Sequence, residues 1–111
     1  YLEHVKKLSL QISGVVLCTD GGNTGYATDG KNIVEMTPPQ LTGVNSIGAG
    51  DASLAGFLAA SDSDKDFLTC VSQSMLWGTA ACLHDATAGL NLEAALKVRD
   101  GVTIEPSQSK V

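Results

Sequence analysis

The chain has 111 residues, 43% hydrophobic and 17% charged, which suits one folded globular domain and excludes a disordered chain. Seven Lys and Arg against twelve Asp and Glu give a net charge of −5, which excludes broad binding to nucleic acid or to an anionic membrane surface. Cys18, Cys70 and Cys82 are an odd set with no CxxC pair, so reduced thiols in a cytoplasmic protein are expected rather than disulfides or structural zinc.

No apolar run approaches the roughly 20 residues of a membrane-spanning helix. No basic-then-apolar leader opens the chain. Residues 2–12 set Leu2, Val5, Leu8 and Ile12 at spacings of three and four, which predicts an amphipathic helix stopped by Gly14. A short apolar run at 15–18 predicts a buried strand. Residues 20–25 carry turn chemistry, 26–28 a short strand, Asp29-Gly30 a hairpin turn and 31–36 the returning strand. Pro38-Pro39 opens a loop.

A helix is expected to start at Asp51, with Leu54, Phe57 and Leu58 on one face and an interruption at 61–63. Ser63 is positioned to cap the next helix, over 64–83, which should bury Phe67, Leu68, Val71, Met75, Trp77 or Gly78, and Cys82. A turn at 87–89 leads to Asn91, the expected cap of a last helix at 92–99. Residues 102–104 read as an edge strand and the tail from Pro106 as frayed. The order of elements is α/β in character but poor in strands for its length, as if sheet partners lay elsewhere.

The chemistry concentrates at Ile47-Gly48-Ala49-Gly50-Asp51. Two glycines let the backbone turn tightly and approach a ligand. The amides at the start of the following helix have no partner within it, and with the helix dipole they attract an anion. A carboxylate there repels that anion unless it takes a proton from a hydroxyl attacking it, which is the division of labour in phosphoryl transfer. Taken alone, the pattern is more often a carboxylate favouring a helix start beside a glycine turn.

The wider segment weighs differently. Val44-Asn45-Ser46-Ile47-Gly48-Ala49-Gly50-Asp51, continued by Ala55-Gly56-Phe57-Leu58, closely resembles the C-terminal signature of the ribokinase-like (PfkB) carbohydrate kinases. Gly22-Asn23-Thr24-Gly25, after an apolar strand and before a hairpin, resembles that family's strand–GxxG–hairpin segment. Gly78-Thr79-Ala80-Ala81 and Thr87-Ala88-Gly89 resemble the part that closes around adenine.

The resemblance implies the C-terminal part of a three-layer α/β/α fold, with residues 1–111 as the nucleotide-side portion of a longer kinase. It implies ATP as phosphoryl donor, a sugar or sugar phosphate as acceptor, and Mg²⁺ whose usual protein contacts lie upstream. It also allows a homodimer of the full-length protein. Asp51 is then the base that deprotonates the acceptor hydroxyl, and Gly48, Ala49 and Gly50 form the anion hole for the γ-phosphate. Asp20, Gly22 and Gly25 fall in the nucleotide-side loop, and Ala81 and Ala88 beside the adenine. Asp20 departs from the family pattern, which has Ser or Thr there. Asn45 with the Pro-Pro loop leans to the 1-phosphofructokinase and tagatose-6-phosphate kinase branch. Two alternatives stand beside this reading: a non-catalytic nucleotide-binding or interaction module of the same fold, and a kinase for free sugars or nucleosides.

Other residues read as structural. Ser46 and Ser53 have no nearby His in sequence, and His84-Asp85 follows a helix end. Trp77 reads as core or interface. Asp62, Asp64 and Asp66 lack the Gly and Glu of a calcium loop, and no P-loop occurs.

Overall fold

A computed structural model describes residues 2–11, 14–41, 47–83 and 91–110. Ile12, Val44, Asn45, Ser46, His84, Asp85, Ala88 and the turn expected at 87–89 lie outside those residues. The described elements run α1 (Leu2–Gln11), β1 (Val16–Asp20), β2 (Asn23–Thr28), β3 (Asn32–Thr37), α2 (Ala49–Asp62), α3 (Phe67–Cys82), α4 (Leu92–Val98), a 3-10 turn (Arg99–Gly101) and β4 (Thr103–Lys110).

The strands form one antiparallel sheet in the order β1-β2-β3-β4. Two tight turns make the first three strands a meander. Gly21 adopts φ +56° in the β1–β2 turn, a conformation that costs glycine little. In the β2–β3 turn the Asp29 carboxylate accepts from the amides of Lys31 and Asn32, both at 2.9 Å. Those bonds, Asn32 first, hold its pKa below the ordinary carboxylate value.

Ala27 and Val34 lie opposite each other and, with Met36, join Phe57, Ala60, Cys70, Val71 and Met75 in the core under α2 and α3. Val16, Thr28 and Ile33, neighbours across the strands, are buried on the opposite face. α1 lies against β1 and β2 and buries Val5. The fold is therefore mixed α/β in three layers.

Several expectations are corrected. β1, β2 and β4 are longer than expected, with Asn23, Thr24 and Gly25 already in β2. The tail is not frayed over the described residues: 106–110 belong to β4, paired with β3. Its register shifts between Asn32 and Val34, where Pro106 stands opposite Val34 and has no amide to donate. α2 starts at Ala49 rather than Asp51 and continues through Asp62. Ser63 ends α2 instead of capping α3; the cap is Asp66, whose carboxylate accepts from the Thr69 amide at 2.8 Å. Leu8, Leu54, Leu58 and Leu68 are exposed. The buried face of α2 is Ser53, Gly56, Phe57 and Ala60, because small residues let α3 approach closely. The Asn91 cap is as expected, accepting from the Ala94 amide at 3.1 Å.

Candidate active site

A cavity of about 410 Å³ opens where three distant stretches of sequence meet. One wall is the end of β1 and the turn into β2: Thr19, Asp20, Gly21, Gly22, Asn23 and Gly25. The second is the first turn of α2, with Ala49, Gly50 and Ser53. The third is the C-terminal half of α3, with Met75, Gly78, Thr79 and Cys82. Met36 lies at the floor, and Pro38, Pro39, Gln40 and Leu41 close one side. Gln40 Nε2 donates to the Gly22 carbonyl at 3.3 Å and ties this loop to the turn. The volume suits a small-molecule ligand.

Two glycines make the walls possible. A Cβ at Gly25 would run into the Cys18 carbonyl and lie 3.2 Å from Thr19 Cα. A Cβ at Gly78 would strike the Ser53 hydroxyl and lie 3.5 Å from the Ala49 carbonyl. Gly78 thus lets α3 pass close beside the start of α2.

The start of α2 is built to leave donors open. Gly48 holds φ +88°, and its carbonyl accepts from the Ala52 amide at 3.0 Å. The amides of Ala49, Gly50 and Asp51 precede the first bond of the helix, and no side chain among the described residues caps them. They and the dipole give this end a partial positive charge. Asp51 is exposed and follows directly on Gly50, but does not itself line the cavity.

Among the sequence-derived residues, Asp20, Gly22, Gly25, Ala49 and Gly50 line one cavity. Gly48 stands behind the helix start, and Ala81 is buried and off the wall. Ala88 is outside the described residues. Sequence reasoning had Gly78 and Thr79 in the segment expected beside adenine, but missed Met75 and Cys82 as wall residues. They stand about two helical turns apart, and the helical period around Gly78 was the available signal. Burial pushes the Cys82 thiol up from its ordinary pKa, so it is not primed as a nucleophile. Cys18, Cys70 and Cys82 form no disulfide, and only Cys70 is fully buried.

Asp20 is the only charged residue on the wall; no Lys, Arg or His lines it among the described residues. No group of three or more metal-ligating side chains occurs among them either. Among the described residues, the groups on this wall that can hold an anion are backbone amides. Among the described residues no helix is long and apolar enough to cross a membrane.

The description "pfkB family carbohydrate kinase" belongs to the family model that matches residues 1–94. A candidate phosphofructokinase from Staphylococcus aureus superposes with a TM-score of 0.81 at 25% identity, over 95% of this chain and 34% of that one. A carbohydrate kinase from Agrobacterium tumefaciens gives 0.61 at 27% identity, over 86% of this chain and 32% of that one. A candidate 1-phosphofructokinase from Thermotoga maritima shares the fold, with a TM-score of 0.78 at 19% identity, over 97% of this chain and 34% of that one. The chain thus spans about a third of the length of these structures. No curated protein matches it.

Proposed function

Because the chain belongs to the pfkB family of carbohydrate kinases, we propose that it forms the C-terminal, nucleotide-side portion of an ATP-dependent kinase. That kinase transfers the γ-phosphoryl group to a hydroxyl of a sugar or sugar phosphate. The observation that carries this reading is the cavity itself. It joins a glycine-bearing hairpin turn to the uncapped start of α2, and Asp51 stands one residue beyond its wall.

The roles follow from the chemistry. The amides of Ala49 and Gly50, with the Gly48 turn behind them, face the transferring phosphoryl group and stabilise charge on its equatorial oxygens. Asp51 accepts the proton of the acceptor hydroxyl as its oxygen bonds to phosphorus and the bond to the leaving ADP breaks. The adenosine lies toward α3, past Thr79 and Cys82. Mg²⁺ fits as a nucleotide-borne cation: the wall offers one carboxylate, the usual complement for Mg²⁺ shared with substrate phosphates. When bound, it would neutralise phosphate charge. The likeness to candidate phosphofructokinases favours a hexose phosphate as acceptor over a free sugar or nucleoside.

The test is a coupled assay of the full-length protein with MgATP and a panel of hexose phosphates, fructose 1-phosphate among them. ADP release that requires the sugar is the expected result. Binding of ATP without sugar-dependent ADP release would replace this reading with a non-catalytic nucleotide-binding module. The isolated 111-residue chain should be inactive, since the acceptor site is assigned to residues outside it.

A further inference from the structure

The turn between β1 and β2 has little of its own to hold it in place. Gly21 and Gly22 stand between the paired residues Asp20 and Asn23, outside the ladder. All four are exposed, and a Cβ at either glycine would meet nothing within 4 Å. Glycine also loses more conformational freedom than any other residue when it is fixed. Yet these four residues form part of the cavity wall. A ligand that had to order a loose wall would lose that entropy from its binding free energy.

Backbone pairing with β3 cannot secure the turn. β2 and β3 pair as far as Gly25 with Met36, and beyond them the Thr24 and Thr37 hydroxyls bond at 3.0 Å. In the same register the next positions set Pro38 opposite Asn23 and Pro39 opposite Gly22. Neither proline has an amide hydrogen to donate, so the ladder ends there. The Gln40 side chain supplies a donor instead, its Nε2 reaching the Gly22 carbonyl at 3.3 Å. Among the described residues, this is the hydrogen bond that reaches the two glycines from outside their own hairpin.

The backbone that presents Gln40 is itself held. Pro39 is buried, and a Cβ on Gly101, in the 3-10 turn before β4, would lie 3.0 Å from Pro39 Cβ. The two proline rings also fix φ at both positions before Gln40. The side chain therefore joins a stiff, packed segment to a turn with no packing of its own.

We propose that Gln40 is a positioning residue for the cavity: it fastens the glycine turn to the proline segment, so that nucleotide meets a wall already in place. Gln40 acts through Gly22 and not on the nucleotide itself. This rests on the reading of the cavity as a nucleotide site.

The test compares wild type, Gln40→Met and Gln40→Ala in the full-length protein. Met keeps the length of the side chain and loses the donor, Ala loses both, and the position is exposed, so the fold should be kept. Three quantities are measured: MgADP affinity by calorimetry, steady-state kinetics of sugar-dependent ADP release, and millisecond hydrogen exchange of the turn without nucleotide. In both variants MgADP should bind about three- to tenfold more weakly, the worth of one neutral hydrogen bond. The loss should fall on the nucleotide KM rather than on kcat or the sugar KM, and the peptide spanning residues 20–23 should exchange faster. Wild-type affinity in Gln40→Met overturns the proposal, whatever Gln40→Ala does. Weaker MgADP binding with unchanged exchange of the turn also overturns it, marking Gln40 as a direct contact of the nucleotide. A loss confined to kcat overturns it too, because a wall already in place acts on binding. A wild-type protein that binds no MgADP overturns the nucleotide reading itself.

Discussion

The seam between α2 and α3 and the mouth of the cavity differ in what they do with glycine. In the seam, Gly56 and Gly78 remove side chains so that two helices touch. A Cβ at Gly56 would lie 2.7 Å from the Gln73 carbonyl and 2.8 Å from Trp77 Cγ. At the mouth, Gly48 and Gly21 take left-handed backbone angles, and a Cβ at Gly21, Gly22 or Gly50 would meet nothing within 4 Å. The first region uses small residues to close space and the second uses them to turn the chain and leave donors facing outward. Stability should therefore reside in the seam and chemistry in the mouth, and substitutions should separate the two.

Breaking the seam gives the largest expected effect on folding. Gly56→Val should destabilise by about 3 kcal/mol or more, since the new atoms meet backbone and an aromatic ring rather than a flexible chain end. Chemical denaturation measures it; a loss under about 1 kcal/mol would mean that the helices can separate without cost. Gly78→Ala should cost less, about 1–3 kcal/mol, because its first obstacle is the Ser53 hydroxyl. Adding Ser53→Ala should recover part of that loss, and strict additivity in the double variant would deny the contact.

The starts of α3 and α4 sharpen the comparison, because each has a side-chain cap and Gly48 gives α2 none. Asn91→Ala should cost about 1 kcal/mol by removing the acceptor for the Ala94 amide. Asp66 carries a pH signature instead. Its bonds from Thr69, side chain first and then amide, hold its pKa below the ordinary carboxylate value. The folded pKa is depressed, so its stabilisation is present above the unfolded value and is lost as pH falls through the folded one. Acid titration of wild type against Asp66→Asn should show the difference only in the wild-type carboxylate range; equal acid sensitivity would discount the cap. Ser74→Ala should be the smallest, neutral or slightly stabilising, because its buried hydroxyl has no partner among the described residues.

The parts of this contrast that the sequence made readable are those with local chemistry. Asn91 before a helical stripe, Asp29-Gly30 between strands and the glycines around Ala49 each act through their own backbone, so their residue types announce them. The rest depends on partners distant in sequence. Leu54 and Leu58 form an apolar pair at helical spacing, yet α3 takes the small residues Ser53, Gly56 and Ala60. Ser63 and Asp66 are both good caps, and only the path of the chain after α2 chooses between them. β4 is recruited by backbone pairing with β3 through a polar stretch containing Pro106, which no apolar alternation foretells. The irregularity between Cys18 and Asp20, where β2 carries one extra residue, is a property of the pairing of two strands, not of either alone.

The separation of closing and chemistry is tested most directly by Asp51→Asn in the full-length protein, with turnover and nucleotide affinity measured side by side. Asp51 is exposed, so the fold should be kept. Sugar-dependent turnover should fall by about 10²–10⁴ or more, with ADP affinity and melting temperature unchanged. Near-normal turnover would contradict the account, because it would leave the carboxylate beside the open amides of α2 with nothing to do.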